Sequence, residues 1–94
     1  MQEYNFIRKQ AVLAKSGFGS TTLHERVHAR LMPAPINLGG SVSAYLSHEI
    51  DAVLAARAAG FTDEQVKTIV ISLEEKRKDS ANQLLQALKL RGAL

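Results

Sequence analysis

The chain contains no cysteine and only two prolines among its 94 residues, and aromatic residues make up 5% of it. Without cysteine there are no disulfides and no thiolate metal sites, and folding in a reducing cytoplasm has no redox consequence. No apolar run approaches the length needed to span a bilayer. The start of the chain, MQEYNFIRKQ, has no hydrophobic signal core, so a cytoplasmic protein with no membrane partner is expected. The few aromatics show no paired spacing of the kind that stacks successive bases of a single strand. Internal repeats and low-complexity linkers are also lacking.

Charge of one sign is scarce as well. The net charge is +3 with a pI near 9.5, which permits an acidic partner without demanding one. Residues 1–60 carry six Lys/Arg against four Asp/Glu, and residues 61–94 carry six against five. Phosphate neutralisation relies on several clustered cations, and this is a thin supply. What is present is an ordinary globular composition, 46% hydrophobic and 22% charged, enough for one small domain with a modest core.

Residues 1–5 are polar and expected to fray. Phe6 and Ile7 open a short strand or a helix lead-in. Gln10 to Lys15 reads as a helix with Val12 and Leu13 inward, ended by Gly17 in the left-handed conformation. Ser20 is expected to cap a second helix over Thr21 to Arg30. Its apolar residues Leu23, Val27 and Leu31 share one stripe, which turns Thr21, His24, Glu25 and His28 to solvent. Pro33 and Pro35 forbid further helix. Ile36 to Leu38 and Ser41 to Leu46 form a hairpin around a Gly39-Gly40 turn, with Val42, Ala44 and Leu46 on one face and Tyr45 on the other. Ser47 caps a third helix, with Ile50, Val53 and Leu54 buried, and Gly60 stops it. Thr62 to Gln65 is a capping box. It opens an amphipathic segment through Val66, Ile69, Val70, Leu73, Leu84, Leu85 and Leu88, as one long helix or two.

Two functional patterns overlap in Ser16 to Gly40. The run Gly17, Ser20-Thr21-Thr22-Leu23 matches the turn and second helix of a DNA-reading helix-turn-helix. His24-Glu25-Arg26-Val27-His28 spells H-E-x-x-H, in which two histidines one turn apart hold zinc and the glutamate activates its water. Glu49 is the candidate third ligand. Against a zinc hydrolase stand the short chain, the Pro-x-Pro break directly after the helix and the lack of an evident cleft. No cofactor and no catalytic residue is expected. Gly39-Gly40 lacks the Walker residues that would make it a phosphate loop. His48 reads as an exposed first-turn residue, and Lys76-Arg77-Lys78 among Glu74, Glu75 and Asp79 reads as a solvated helix face.

The segments Val12-Leu13-Ala14-Lys15-Ser16-Gly17, Ser20-Thr21-Thr22-Leu23, Pro33-Ala34-Pro35-Ile36-Asn37-Leu38-Gly39-Gly40, and Ser47 to Ala52 through Ala55-Ala56-Arg57 occur in one ungapped register. In that combination the chain, over roughly residues 6–59, resembles the AlpA family of phage-type regulators, relatives of the MerR-like winged helix and of excisionases. The resemblance implies a small winged helix-turn-helix with a two-stranded β-hairpin wing over residues 1–60; the amphipathic segment, which the resemblance leaves unmatched, adds a C-terminal helical extension over 61–94, so the fold expected is mainly α. The resemblance implies double-stranded DNA as the partner, and a role as transcriptional regulator or excision factor of a mobile element, with an integrase or another protein as possible partner. By position, it assigns DNA contact to Lys15, Ser20, Thr21, Thr22, His24, Glu25, His28, Gly40 and Ser41. Where the family commonly has cations, this chain has Ser20, Glu25 and Ser41. Arg30 stands where a glycine often ends the helix, and Tyr45 replaces a usual tryptophan. Such a face expects weak binding per monomer, made useful by dimers, tandem sites or a partner protein, or a scaffold that binds protein instead. Val66, Ile69, Val70, Leu73, Leu84 and Leu88 are accordingly expected to form a homodimer interface or to cover the chain's own core.

Overall fold

The computed structural model describes residues 4–90. Of the expected frayed start, residues 1–3 lie outside the described residues. The elements are β1 (Phe6–Ile7), α1 (Lys9–Ser16), α2 (Ser20–His28), β2 (Ile36–Gly39), β3 (Val42–Leu46), α3 (Ser47–Ala58) and α4 (Asp63–Leu90). This is a mainly helical fold with a small antiparallel sheet, in keeping with a small winged helix and a C-terminal helix.

Helix ends follow local chemistry. Gly17 takes φ 75 and its amide donates to the Leu13 carbonyl at 2.9 Å, closing α1. Ser16 tightens the turn, its hydroxyl donating to the Val12 carbonyl and accepting from the Phe18 amide. After three intervening residues α2 begins, and its cap is Gly19, not Ser20. Ser20 is already helical, so its hydroxyl is displaced from the capping position. The same correction applies to α3, which is capped at Leu46 with Ser47 as its first residue.

The far ends of α2 and α3 share one motif. Leu31 N donates to Arg26 O and Arg30 N to Val27 O; Phe61 N donates to Ala56 O and Gly60 N to Arg57 O. Each pair satisfies carbonyls the helix leaves open, and each needs a left-handed residue after the last turn. At the end of α3 that residue is Gly60 at φ 86; at the end of α2 it is Arg30 at φ 63. The helix therefore stops at His28, two residues before the expected end.

The sheet has the order β1-β3-β2, so the hairpin gains a third strand in Phe6–Ile7. Phe6 pairs with Leu46 and Ile7 with Tyr45; on the other side Ile36 pairs with Ala44 and Asn37 with Ser43. A bulge between Asn37 and Gly39 then brings Gly39 opposite Val42. The turn is consequently Gly40-Ser41, one residue later than expected, with Gly39 and Gly40 both at positive φ. Asn37 supports the bulge by accepting from the Gly39 amide at 2.7 Å. Simple alternation fails at the end of β3, where Ala44, Tyr45 and Leu46 are all buried because both faces are covered there.

The capping box forms as expected: the Thr62 amide donates to Gln65 Oε1 at 2.9 Å and the Gln65 amide to Thr62 Oγ1 at 3.3 Å. From it α4 runs as one continuous helix of 28 residues, about 42 Å at 1.5 Å per residue. That nearly matches the 46 Å long axis of the molecule.

The core joins Val12, Leu23, Met32, Tyr45, Ile50, Val53 and Ala56 to Val66 and Val70. It therefore crosses residue 60, and the first half of α4 belongs to the same packing unit as the helix-turn-helix. Val66 and Val70 are fully buried within the single chain, and Ile69 and Leu73 pack against the core. Of the two roles expected for these four residues, a surface between copies or cover for the chain's own core, the packing within the chain is the second. Among the described residues no helix is long and apolar enough to cross a membrane.

Candidate nucleic-acid interface

Burial of Leu23 and partial burial of Val27 fix which way α2 faces. Ser20, Thr21, Thr22, His24, Glu25 and His28 are all exposed on its other side. In the first turn, the amides of Ser20, Thr21 and Thr22 precede the first intrahelical bond, which Leu23 donates to the Gly19 carbonyl at 3.0 Å. Those amides and three hydroxyls together form a donor-rich helix start of the kind that accepts phosphate. On the second surface, the hairpin exposes Asn37, Leu38, Gly39, Gly40, Ser41 and Val42. No cation lies in either group.

The cations near these surfaces are engaged inside the chain. Lys15 donates to Asp51 at 2.7 Å and lies 3.4 Å from the Ser47 hydroxyl, so it braces α1 on α3 and its charge is neutralised there. Arg30 pairs with Glu74 at 3.1 Å. Arg26 lies over the Phe18 ring, 5.5 Å from its centroid. At the α3–α4 corner Arg57 pairs with Asp63, and that hydrogen bond holds the Asp63 carboxyl below the usual carboxylate range.

The histidines of the H-E-x-x-H pattern sit edge to face, with ring centroids 4.5 Å apart. Their expected third ligand is elsewhere. Glu49 is 1% exposed and forms a forked pair with Arg77, whose Nε donates to Oε2 at 2.9 Å while a terminal nitrogen donates to Oε1. Among the described residues, no group of three or more His, Cys, Asp or Glu is placed to hold a metal ion.

Glu49, expected beside the histidines, and Glu74 and Arg77, expected on a solvated helix face, instead form one cluster around Ala34 and the α3–α4 contact. Arg77 also donates to the Ala34 carbonyl at 2.9 Å, and Glu74 accepts from the Ala34 amide at 3.0 Å. Ala34 lies between two prolines that have no amide to offer, and α4 supplies partners for both of its backbone groups. The signal was available in the spacing: Val66, Val70, Leu73 and Arg77 recur at i, i+4, i+7 and i+11, which places Arg77 on the buried stripe. Reading Lys76-Arg77-Lys78 as one solvated run hid this.

Beyond Arg77 the stripe loses its cover. Leu84 is 54% and Leu85 49% exposed, with Leu88 half-buried, and residues 80–88 carry no charge. Of the six residues expected to pair two copies, Leu84 and Leu88 remain outside the core; residues 91–94, at the end of the expected extension, lie outside the described residues. Searches of protein-family models, curated proteins and solved structures found no match to this chain.

Proposed function

We propose that the chain binds double-stranded DNA as a winged helix-turn-helix, acting in the cytoplasm as a transcriptional regulator or excision factor of the mobile-element type. The observation that carries this reading is the polar face of α2. It runs uncovered from Ser20 to His28, behind a three-residue glycine turn that joins it to α1. Two short helices joined in this way, the second bare on one side, are the arrangement that places side chains in a major groove. Ser20, Thr21 and Thr22 would meet phosphates or base edges, and Glu25 would accept from a donor such as the cytosine amino group. The Gly40-Ser41 turn is the wing tip. No zinc chemistry and no catalytic step enters this reading.

Sparse cations on the face make single-copy binding weak, and a second copy supplies the remainder. The occupant we assign to the bare end of α4 is that second copy, through Leu84, Leu85 and Leu88. Their face continues the stripe already buried through Val66, Val70, Leu73 and Arg77, and the uncharged residues 80–88 oppose no charge to an identical helix. The same scarcity of cations favours one other reading, a winged scaffold whose α2 face binds protein.

Salt dependence separates the two. With a mixed-sequence duplex as probe, the full chain should bind at low ionic strength and lose affinity steeply as salt is added, each phosphate contact contributing about −0.9 to the slope of log K on log salt. A complex insensitive to salt, or no complex, would favour the protein-binding scaffold.

A further inference from the structure

We infer that Arg77 is a positioning residue for the wing, so that the C-terminal helix sets how β2 leaves the reading helix. This rests on the winged-helix reading for its consequence on DNA, but not for its geometry. The only covalent link between α2 and β2 is the segment 29–35, which contains a left-handed Arg30 and two prolines. Such a segment has few backbone bonds of its own with which to hold a shape. It is held from outside by α4. Arg77 donates to the Ala34 carbonyl with the same guanidinium that grips the buried Glu49, and Glu74, one turn earlier, accepts from the Ala34 amide. The two contacts on Ala34 span 40 and 43 residues of sequence and meet at the second residue before β2, and the one from Arg77 to Glu49 spans 28.

A guanidinium is the group that can do both tasks at once, since its planar fork donates in two directions. Glu49 anchors Arg77 from α3, and Arg77 anchors the start of the wing. The wing's direction relative to α2 is therefore referred to the α3–α4 pair. In a winged helix this would couple the half of α4 that is buried to the width of DNA the protein can span.

The test uses the full-length chain with the double substitution Glu49→Met/Arg77→Met. Removing Arg77 alone strands a buried carboxylate, whereas replacing a buried ion pair by apolar side chains of similar volume often leaves the fold intact. Circular dichroism and a thermal melt verify folding, and Arg77→Lys, which keeps the charge but loses the fork, serves if the double variant does not fold. Amide hydrogen exchange is then compared between residues 36–39 and the core positions Val12 and Leu23. The expected result is a roughly ten-fold loss of protection confined to residues 36–39, the effect of losing a charged donor to a backbone carbonyl. Unchanged protection there, or an equal loss at Val12 and Leu23, would overturn the assignment.

A second arm measures duplex DNA binding in a cycle with Ser41→Glu. In the native background this change should weaken binding at the wing tip; with Arg77 replaced, its effect should shrink by several-fold. If the native chain binds no DNA, the winged-helix reading fails while the exchange arm still decides the role of Arg77.

Discussion

Arg30 shows at single-residue scale how competing magnitudes decide an outcome. Its left-handed backbone costs a non-glycine residue about 1–2 kcal/mol, while an exposed ion pair such as that with Glu74 contributes about 0.2–1 kcal/mol. Strain is the larger effect, although the extra freedom of an unfolded glycine offsets part of the gain. Arg30→Gly is therefore expected to raise stability by up to about 1 kcal/mol in chemical denaturation, and a loss of that size would show that the pair with Glu74 dominates. Tyr45 offers a second test. Burial pushes its phenol above the ordinary 10.0. Its contribution to stability is thus complete below the unfolded value and is lost as pH rises through the folded one. Melting temperature should decline above about pH 10, and Tyr45→Phe should remove part of that decline. An identical decline in both proteins would place its cause elsewhere. The residue level was also where the sequence was least legible. Gly17, Gly60 and the Thr62–Gln65 box announce themselves by residue type, but nothing in an isolated Glu49 or Arg77 says that they meet across 28 positions.

Among the elements, α4 changes meaning most. Its periodicity indicates an amphipathic helical segment, as one helix or two, because a stripe of apolar residues at helical spacing is visible without a fold; the structure has one helix. Which object covers that stripe is not visible, since the chain's own core and a second copy require the same residues. The structure divides the stripe in two. Val66, Val70, Ile69 and Leu73 complete the core, whereas Leu84, Leu85 and Leu88 stay uncovered or partly covered. Two truncations should separate these roles. Ending the chain at residue 60 removes two fully buried valines, each worth about 1.5–3 kcal/mol of burial, and is expected to abolish cooperative unfolding. Ending it at residue 79 keeps the core and the Glu74–Arg77 contacts, and is expected to leave the circular dichroism melt cooperative while light scattering falls from dimer mass to monomer mass. Dimer mass in the shorter protein would show that the bare leucines do not join copies. The sheet teaches a smaller lesson. Its hairpin followed from the Gly-Gly pair, and Phe6–Ile7 took the strand alternative of the two expected there, yet a one-residue bulge leaves no pattern long enough to read.

At the scale of the whole molecule, a nearly charge-balanced chain carries two exposed surfaces, the polar face of α2 and the hairpin, on one shared core. The segment between them is clamped by the helix that also bears the uncovered leucines. Fold class was legible because breakers and periodicity set the element order. The site was legible only in part: the exposure of Ser20, Thr21, Thr22, His24, Glu25 and His28 follows from the Leu23–Val27 stripe, but the engagement of Lys15 and Arg30 depends on partners 36 and 44 residues away. The central claim is that α2 and the hairpin tip read duplex DNA together. Backbone amide shifts of the full chain, recorded as a mixed-sequence duplex is added at low salt, test it most directly. The account predicts changes at Ser20, Thr21, Thr22, His24, His28, Gly40 and Ser41 that reverse on adding salt; a spectrum unmoved by DNA, or changes confined to α4, would contradict it.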